Sequence, residues 1–159
     1  MKKLIIKLYK SQKVSLVEPN SIVSEAYAKK SKSNIISARI LLDNNHLEES
    51  VALVYYSMYN LVQSLFFRAG IKSENHTASL YLLKEIFDID NKSIIYAKEE
   101  RVDKQYYTDF KITKQEVLDS LKTGEDFNNL LFDFISRINS KDIKKYQDKF
   151  KEVVKWKIN

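Results

Sequence analysis

VALVYYSMYNLVQSLFF, residues 51–67, decides the fold. Apolar side chains recur here on nearly every face of a 3.6-residue turn, the pattern of a central helix buried on most sides. Ser57, Asn60, Gln63 and Ser64 interrupt the run, which falls short of the roughly 20 apolar residues that a membrane span needs. The helix is predicted from about Leu47 to Ala69, with Gly70 in the usual position after a helix end. Ser50, Ser57 and Ser64 are spaced by sevens, so small side chains lie along one stripe. Such a stripe lets a neighbouring helix approach closely, from the same chain or from a second copy.

Helices are predicted on both sides of this centre. Asn20 or Ser21 can cap a helix to about Asn44, with Ile22, Val23, Ala26, Ile35, Ala38 and Leu42 near helical spacing. Beyond Gly70, residues 71–75 read as a loop, and His76 or Thr77 opens a helix carrying Leu80, Leu83, Ile86 and Phe87 on one face. After the polar break 88–91, a fourth helix spans about Lys92 to Tyr107. Thr113 and Glu116 form a capping box for a fifth, running to about Asn139 with Gly124 as a weak point inside it. Residues 141–158 place Ile143, Tyr146, Phe150, Val153 and Lys157 along one side of a basic amphipathic helix. Residues 1–20 alternate weakly and hold the only proline, Pro19, so they read as a short extended arm or strand. The fold class expected is all-α: one helical bundle of about five helices at 21–140, an N-terminal arm at 1–20 and a C-terminal basic helix at 141–159.

Composition removes whole classes of function. The chain of 159 residues suits one domain with a single core. It has two glycines, Gly70 and Gly124, so neither a P-loop nor a GxGxxG dinucleotide loop can be written. Without cysteine there is no disulfide frame, thiolate metal site or cysteine nucleophile, and the absence fits a reducing cytoplasm. His46 and His76 stand thirty positions apart, so no metal and no cofactor is expected. Serine triads and HExxH are missing, and the carboxylate pairs (Glu48-Glu49, Asp88/Asp90, Glu99-Glu100) read as solvated surface.

The net charge of +6 sits at the ends. Residues 1–20 hold five lysines and one acid, and residues 141–159 seven lysines and three acids, so each end carries +4 and the body between them −2. Basic ends read either as solubilising charge or as contacts to RNA phosphates or a partner. Leu4-Ile5-Ile6 is too short for a signal-peptide core, and no membrane role is expected.

The fourth helix carries the candidate chemistry. On a helix, Arg101 neighbours Ala97 and Lys98 behind it and Lys104 and Gln105 ahead, none of them acidic. A guanidinium without an intrahelical carboxylate suits an anion, phosphate above all, because its forked donors match the oxygens. The bland alternative is an exposed charged helix. His76 reads as a helix-opening residue with a satisfied hydrogen bond. Tyr55, Tyr56 and Tyr59 read as core rather than as a base-stacking ladder.

The order of these motifs resembles the HEPN superfamily (higher eukaryotes and prokaryotes nucleotide-binding domains) from Ser24 to Ile138. The resemblance rests on Ser37-Ala38-Arg39-Ile40-Leu41-Leu42, His46-Leu47-Glu48-Glu49-Ser50, Tyr55-Tyr56-Ser57-Met58-Tyr59, Gly70-Ile71 to Asn75-His76, and Arg101-x4-Tyr106 ahead of a late helix led by Glu116. It implies a homodimer acting on RNA or a nucleotide, in many relatives paired with a small nucleotidyltransferase antitoxin in a toxin–antitoxin or defence system. Some relatives with Arg-x4-6-His are metal-independent ribonucleases. Carried over, Arg101 and Tyr106 are the catalytic pair, with Lys98, Lys104, Gln105, Tyr107 and His76 as ligand contacts.

Tyr106 stands where nuclease branches have histidine, as in the branch with Arg-x4-Tyr. A tyrosine of pKa near 10 is almost always protonated at neutral pH and is a poor general base. Arg101 and Tyr106 also lie roughly 140° apart on a straight helix. Both reach one ligand only if the helix ends between them or a second subunit completes the site. Three readings stay open: a phosphate-binding module, a ribonuclease, and a non-catalytic helical adaptor.

Overall fold

A computed structural model describes residues 1–106 and 111–155, residues 102–106 by their backbone alone. Its axis is the helix at residues 47–69. In chain order the described elements are α1 (Lys2–Lys10), β1 (Val14–Leu16), α2 (Ser21–Asp43), α3 (Leu47–Ala69), β2 (Ile71–Ser73), α4 (His76–Phe87), α5 (Lys92–Tyr106), α6 (Lys114–Arg137) and α7 (Ser140–Val154). Sixteen of the 23 residues of α3 are buried, so the other helices pack around it. It ends at Gly70, whose φ of 74° returns the backbone N–H to the Phe66 and Phe67 carbonyls. A Cβ there would stand 2.6 Å from the Val17 carbonyl oxygen, so the position demands glycine on two counts.

The serine stripe is used within the chain. On α2, Ser24, Ser31 and Ala38 are also spaced by sevens, and the helices run antiparallel with their small residues interlocked. Ser24 Oγ donates to the Ser64 carbonyl at 2.8 Å, Ser57 Oγ to the Ser31 carbonyl at 2.7 Å and Ser50 Oγ to the Ala38 carbonyl at 2.7 Å. Small side chains allow the backbones to approach, and each buried hydroxyl then spends its proton on the facing helix. Behind this seam α6 crosses α3 at Gly124. A Cβ at this position would lie 2.6 Å from Val54 Cγ1, so the gap in the apolar pattern is a point of close helix approach rather than a weakness. Asn128, one turn on, donates from Nδ2 to Ser57 Oγ at 2.8 Å and ties α6 to the seam.

The first twenty residues depart from an extended arm. Residues 2–10 form α1, with Ile5 and Leu8 buried one turn apart, because burying that helical face outweighs the weak alternation. The strand expected in this region is β1, paired antiparallel with β2 so that Val14 faces Ser73 and Leu16 faces Ile71. The loop expected at 71–75 therefore begins as an edge strand. The C-terminal helix opens with a capping box between Asn139 and Asp142 and buries Tyr146, Phe150 and Val154. It packs against α1, where Tyr9 meets Phe150 edge-on at 6.0 Å between ring centroids. No helix among the described residues is long and apolar enough to cross a membrane.

Candidate anion-binding site

The polypeptide turns sharply after β2, and Asn75 caps α4 by accepting from the Ala78 N–H at 2.9 Å. This brings the start of α4 against α3 and α5. Tyr56, Glu74, Asn75, His76, Thr77, Lys98 and Arg101 line an open groove of about 470 Å³ there. The groove receives the positive end of the α4 dipole in addition to two cationic side chains.

Arg101 is half-buried. Its Nη1 donates to the Tyr56 hydroxyl at 2.9 Å, and its guanidinium carbon lies 5.0 Å from the Tyr56 ring centre and 5.3 Å from that of Tyr55. Rings and hydroxyl fix the guanidinium in place without neutralising it. Its Nε is buried and has no hydrogen-bond partner among the described residues. No ion pair joins Arg101 to a carboxylate among the described residues. Lys98, one turn back on α5, donates from Nζ to Thr77 Oγ1 at 2.7 Å. Glu74, the acid lining the groove, is paired with Lys72, which holds its carboxyl below the usual carboxylate range.

His76 is the first residue of α4, and the cap itself is Asn75. The histidine ring stacks on Tyr59 at 3.8 Å between centroids, and Nδ1 lies 2.7 Å from the Tyr55 hydroxyl. Burial, then the charges of Arg101 and Lys98, lower the pKa of His76 and favour a neutral imidazole. Burial raises the pKa of Tyr55, which keeps its phenol protonated at neutral pH. When that phenol donates to Nδ1, the His76 proton sits on Nε2.

Of the residues singled out in the sequence, Arg101, Lys98 and His76 line one groove. The side chains of Lys104, Gln105 and Tyr106, and all of Tyr107, lie outside the described residues. Four residues of the groove were not singled out as ligand contacts in the sequence: Glu74, Asn75, Thr77 and Tyr56, the last of which reads there as core. Tyr56 could have been found, because a Tyr55-Tyr56 pair on a helix turns its second ring about 100° from the first. Tyr55 is fully buried and Tyr56 is not, which leaves Tyr56 at the site.

The HEPN domain model matches residues 24–138, more than two thirds of the chain, and the chain belongs to that family. Its function is thereby nucleotide- or RNA-related in the broad sense. No curated protein matches the chain.

Proposed function

We propose that the chain binds the phosphate of RNA or of a nucleotide through Arg101, as a homodimer paired with a minimal nucleotidyltransferase in a toxin–antitoxin or defence system. The observation that carries the phosphate part is Arg101 at the groove, held by the Tyr56 hydroxyl and joined to no carboxylate among the described residues. A guanidinium fixed but not neutralised gains strongly from an anion that accepts its forked hydrogen bonds. Lys98 and the start of α4 add to the same positive potential.

The dimer is supported by the length of α5, which continues to Tyr106 without ending between the motif positions. Positions 101 and 106 therefore stay roughly 140° apart, and a second copy can supply what one helix cannot turn inward. The nucleotidyltransferase partner and the defence setting rest on family membership. Replacing Arg101 with alanine is the test: phosphate or RNA affinity should fall about 10- to 100-fold, the worth of a charge-assisted hydrogen bond or two. Unchanged binding would favour the adaptor reading instead.

One observation favours the ribonuclease reading as a second possibility. The imidazole of His76, held neutral, lines the same groove as Arg101. In the tautomer whose Nδ1–H donates to the Tyr55 hydroxyl, Nε2 is bare and can accept the proton of a ribose 2′-hydroxyl as its oxygen attacks phosphorus, while the 5′-oxygen leaves and takes up a proton from the imidazolium or water. Products then carry 2′,3′-cyclic phosphate even in chelator. Absence of cleavage at every enzyme concentration removes this reading.

A further inference from the structure

A second groove adjoins the first and shares Tyr56, Glu74 and His76 with it. It measures about 540 Å³ and lies between α2 and α3, below β2. Its floor is one face of α3: Tyr56, Tyr59, Asn60, Gln63 and Phe67 follow one another at helical spacing. Its far wall is Tyr27 on α2, stacked on Phe67 at 5.6 Å between centroids and 11° between planes. At the near end the rings of Tyr59 and His76 are stacked.

Two amides sit in this floor. Asn60 is only 8 % exposed overall, but its amide atoms lie at the groove surface rather than sealed in the core, and are open to whatever enters there. Gln63 donates from Nε2 to Ser79 Oγ at 3.3 Å, which leaves its carbonyl oxygen as an acceptor. An amide presents a donor and an acceptor side by side, the complement of a nucleobase edge. Asn60 lies one helical turn, about 6 Å, along α3 from Tyr56, the residue that holds Arg101.

We infer that the groove between α2 and α3 is a nucleobase subsite, in which Asn60 and Gln63 read the base edge while Arg101 and Lys98 hold the attached phosphate. The inference rests on the phosphate-binding reading above and adds what that reading leaves open, the recognition of a base. Tyr27 and Phe67 supply the apolar wall against which a base can stack. The ligand chemistry is a nucleoside phosphate, either free or as one unit of a single-stranded RNA.

The probes are ribose 5-phosphate, the four nucleoside 5′-monophosphates and single-stranded RNA tetramers of each base, titrated against the full chain by calorimetry. One base should bind at least tenfold tighter than ribose 5-phosphate. Asn60→Asp, which keeps the shape and exchanges a donor for a charged acceptor, should lower that preference about tenfold or move it to another base, and its charge should weaken every phosphate probe by a common factor, so affinities are read relative to ribose 5-phosphate. Tyr27→Leu, on a partly exposed ring, should weaken all bases alike by several-fold and spare ribose 5-phosphate. Tighter binding of tetramers assigns the subsite to RNA, and tighter binding of monophosphates assigns it to free nucleotide. Equal affinity for ribose 5-phosphate and every nucleotide, unmoved in Asn60→Asp, overturns the base subsite and leaves the phosphate reading standing. No binding by any probe, or binding unmoved in Arg101→Gln, overturns the phosphate reading and the subsite with it.

Discussion

One helix builds two polar surfaces that behave in opposite ways. On α3 the serine seam and the floor of the grooves lie about a quarter turn apart. In the seam, Ser50, Ser57 and Ser64 are fully or almost fully buried and all take part in hydrogen bonds to α2. In the grooves, Arg101 is joined to no carboxylate among the described residues and the Asn60 amide faces open space. A hydrogen bond closed within the fold contributes to stability, whereas a cation or amide facing an open groove keeps its hydrogen-bonding capacity for a ligand. The two surfaces thus separate polar residues that make the fold from polar residues that wait for something else.

Substitutions on the two surfaces should divide accordingly. The largest effect is expected in the seam. Ser57→Leu overfills a tight helix crossing and strips the partner from Asn128 Nδ2, at a cost of about 3 kcal/mol or more. Thermal unfolding should shift downward by about 10 °C for a chain of this size. Arg101→Gln should do the reverse: phosphate affinity falls about 10- to 100-fold in titration while the melting temperature holds or rises, since an unpartnered buried donor is removed. A large loss of stability in that variant would erase the distinction between the surfaces. Tyr56→Phe removes the hydroxyl that accepts from Arg101 and should weaken phosphate binding several-fold, about 1 kcal/mol, with the fold intact.

The smallest effect separates the surfaces by pH. The pKa of His76 is lowered in the fold, so the unfolded chain binds the extra proton more readily. Stability is therefore full above about pH 6.5, the unfolded value, and declines as pH falls through the folded one. His76→Gln should flatten the change in urea midpoint between pH 7.5 and 5.5. The seam serines do not titrate, and Ser57→Leu should leave that pH dependence as it is.

The helices were legible because residues 47–69 announce themselves by period and by the glycine that follows. The bounds of α3 match the predicted ones, and α2 ends within a residue of its predicted end. The arm was not legible: α1 has two buried residues in nine, too few for a periodicity to stand out, and its helicity depends on α7, more than a hundred positions away. The partner of the serine stripe was left open for a related reason. The matching stripe at Ser24, Ser31 and Ala38 is weaker in sequence, and a seven-residue spacing does not say which helix will face it. Arg101 stood out by its missing carboxylate, and His76 through the resemblance to the family, which places a histidine after this loop. Tyr56, Thr77 and Asn60 did not, because nothing in a linear pattern tells which aromatic or amide on a buried helix lines a cleft.

The packing of α1 on α7 carries a consequence of its own. It lays Lys2–Lys10 beside Ser140–Val154, two lysine-rich stretches that each carry a net positive charge. Like charges crowded on one flank push the compact state apart, and mobile anions relieve that push within a Debye length, about 10 Å at 0.1 M salt. Phe150 is fully buried, so α7 cannot be cut away to test the point, but Lys144 and Lys145 are exposed and can be neutralised. Added sodium chloride should raise the melting temperature of the native chain by a few degrees and that of a Lys144→Gln, Lys145→Gln variant by less. Such a molecule would be sturdiest in brine while any grip it has on nucleic acid loosens there.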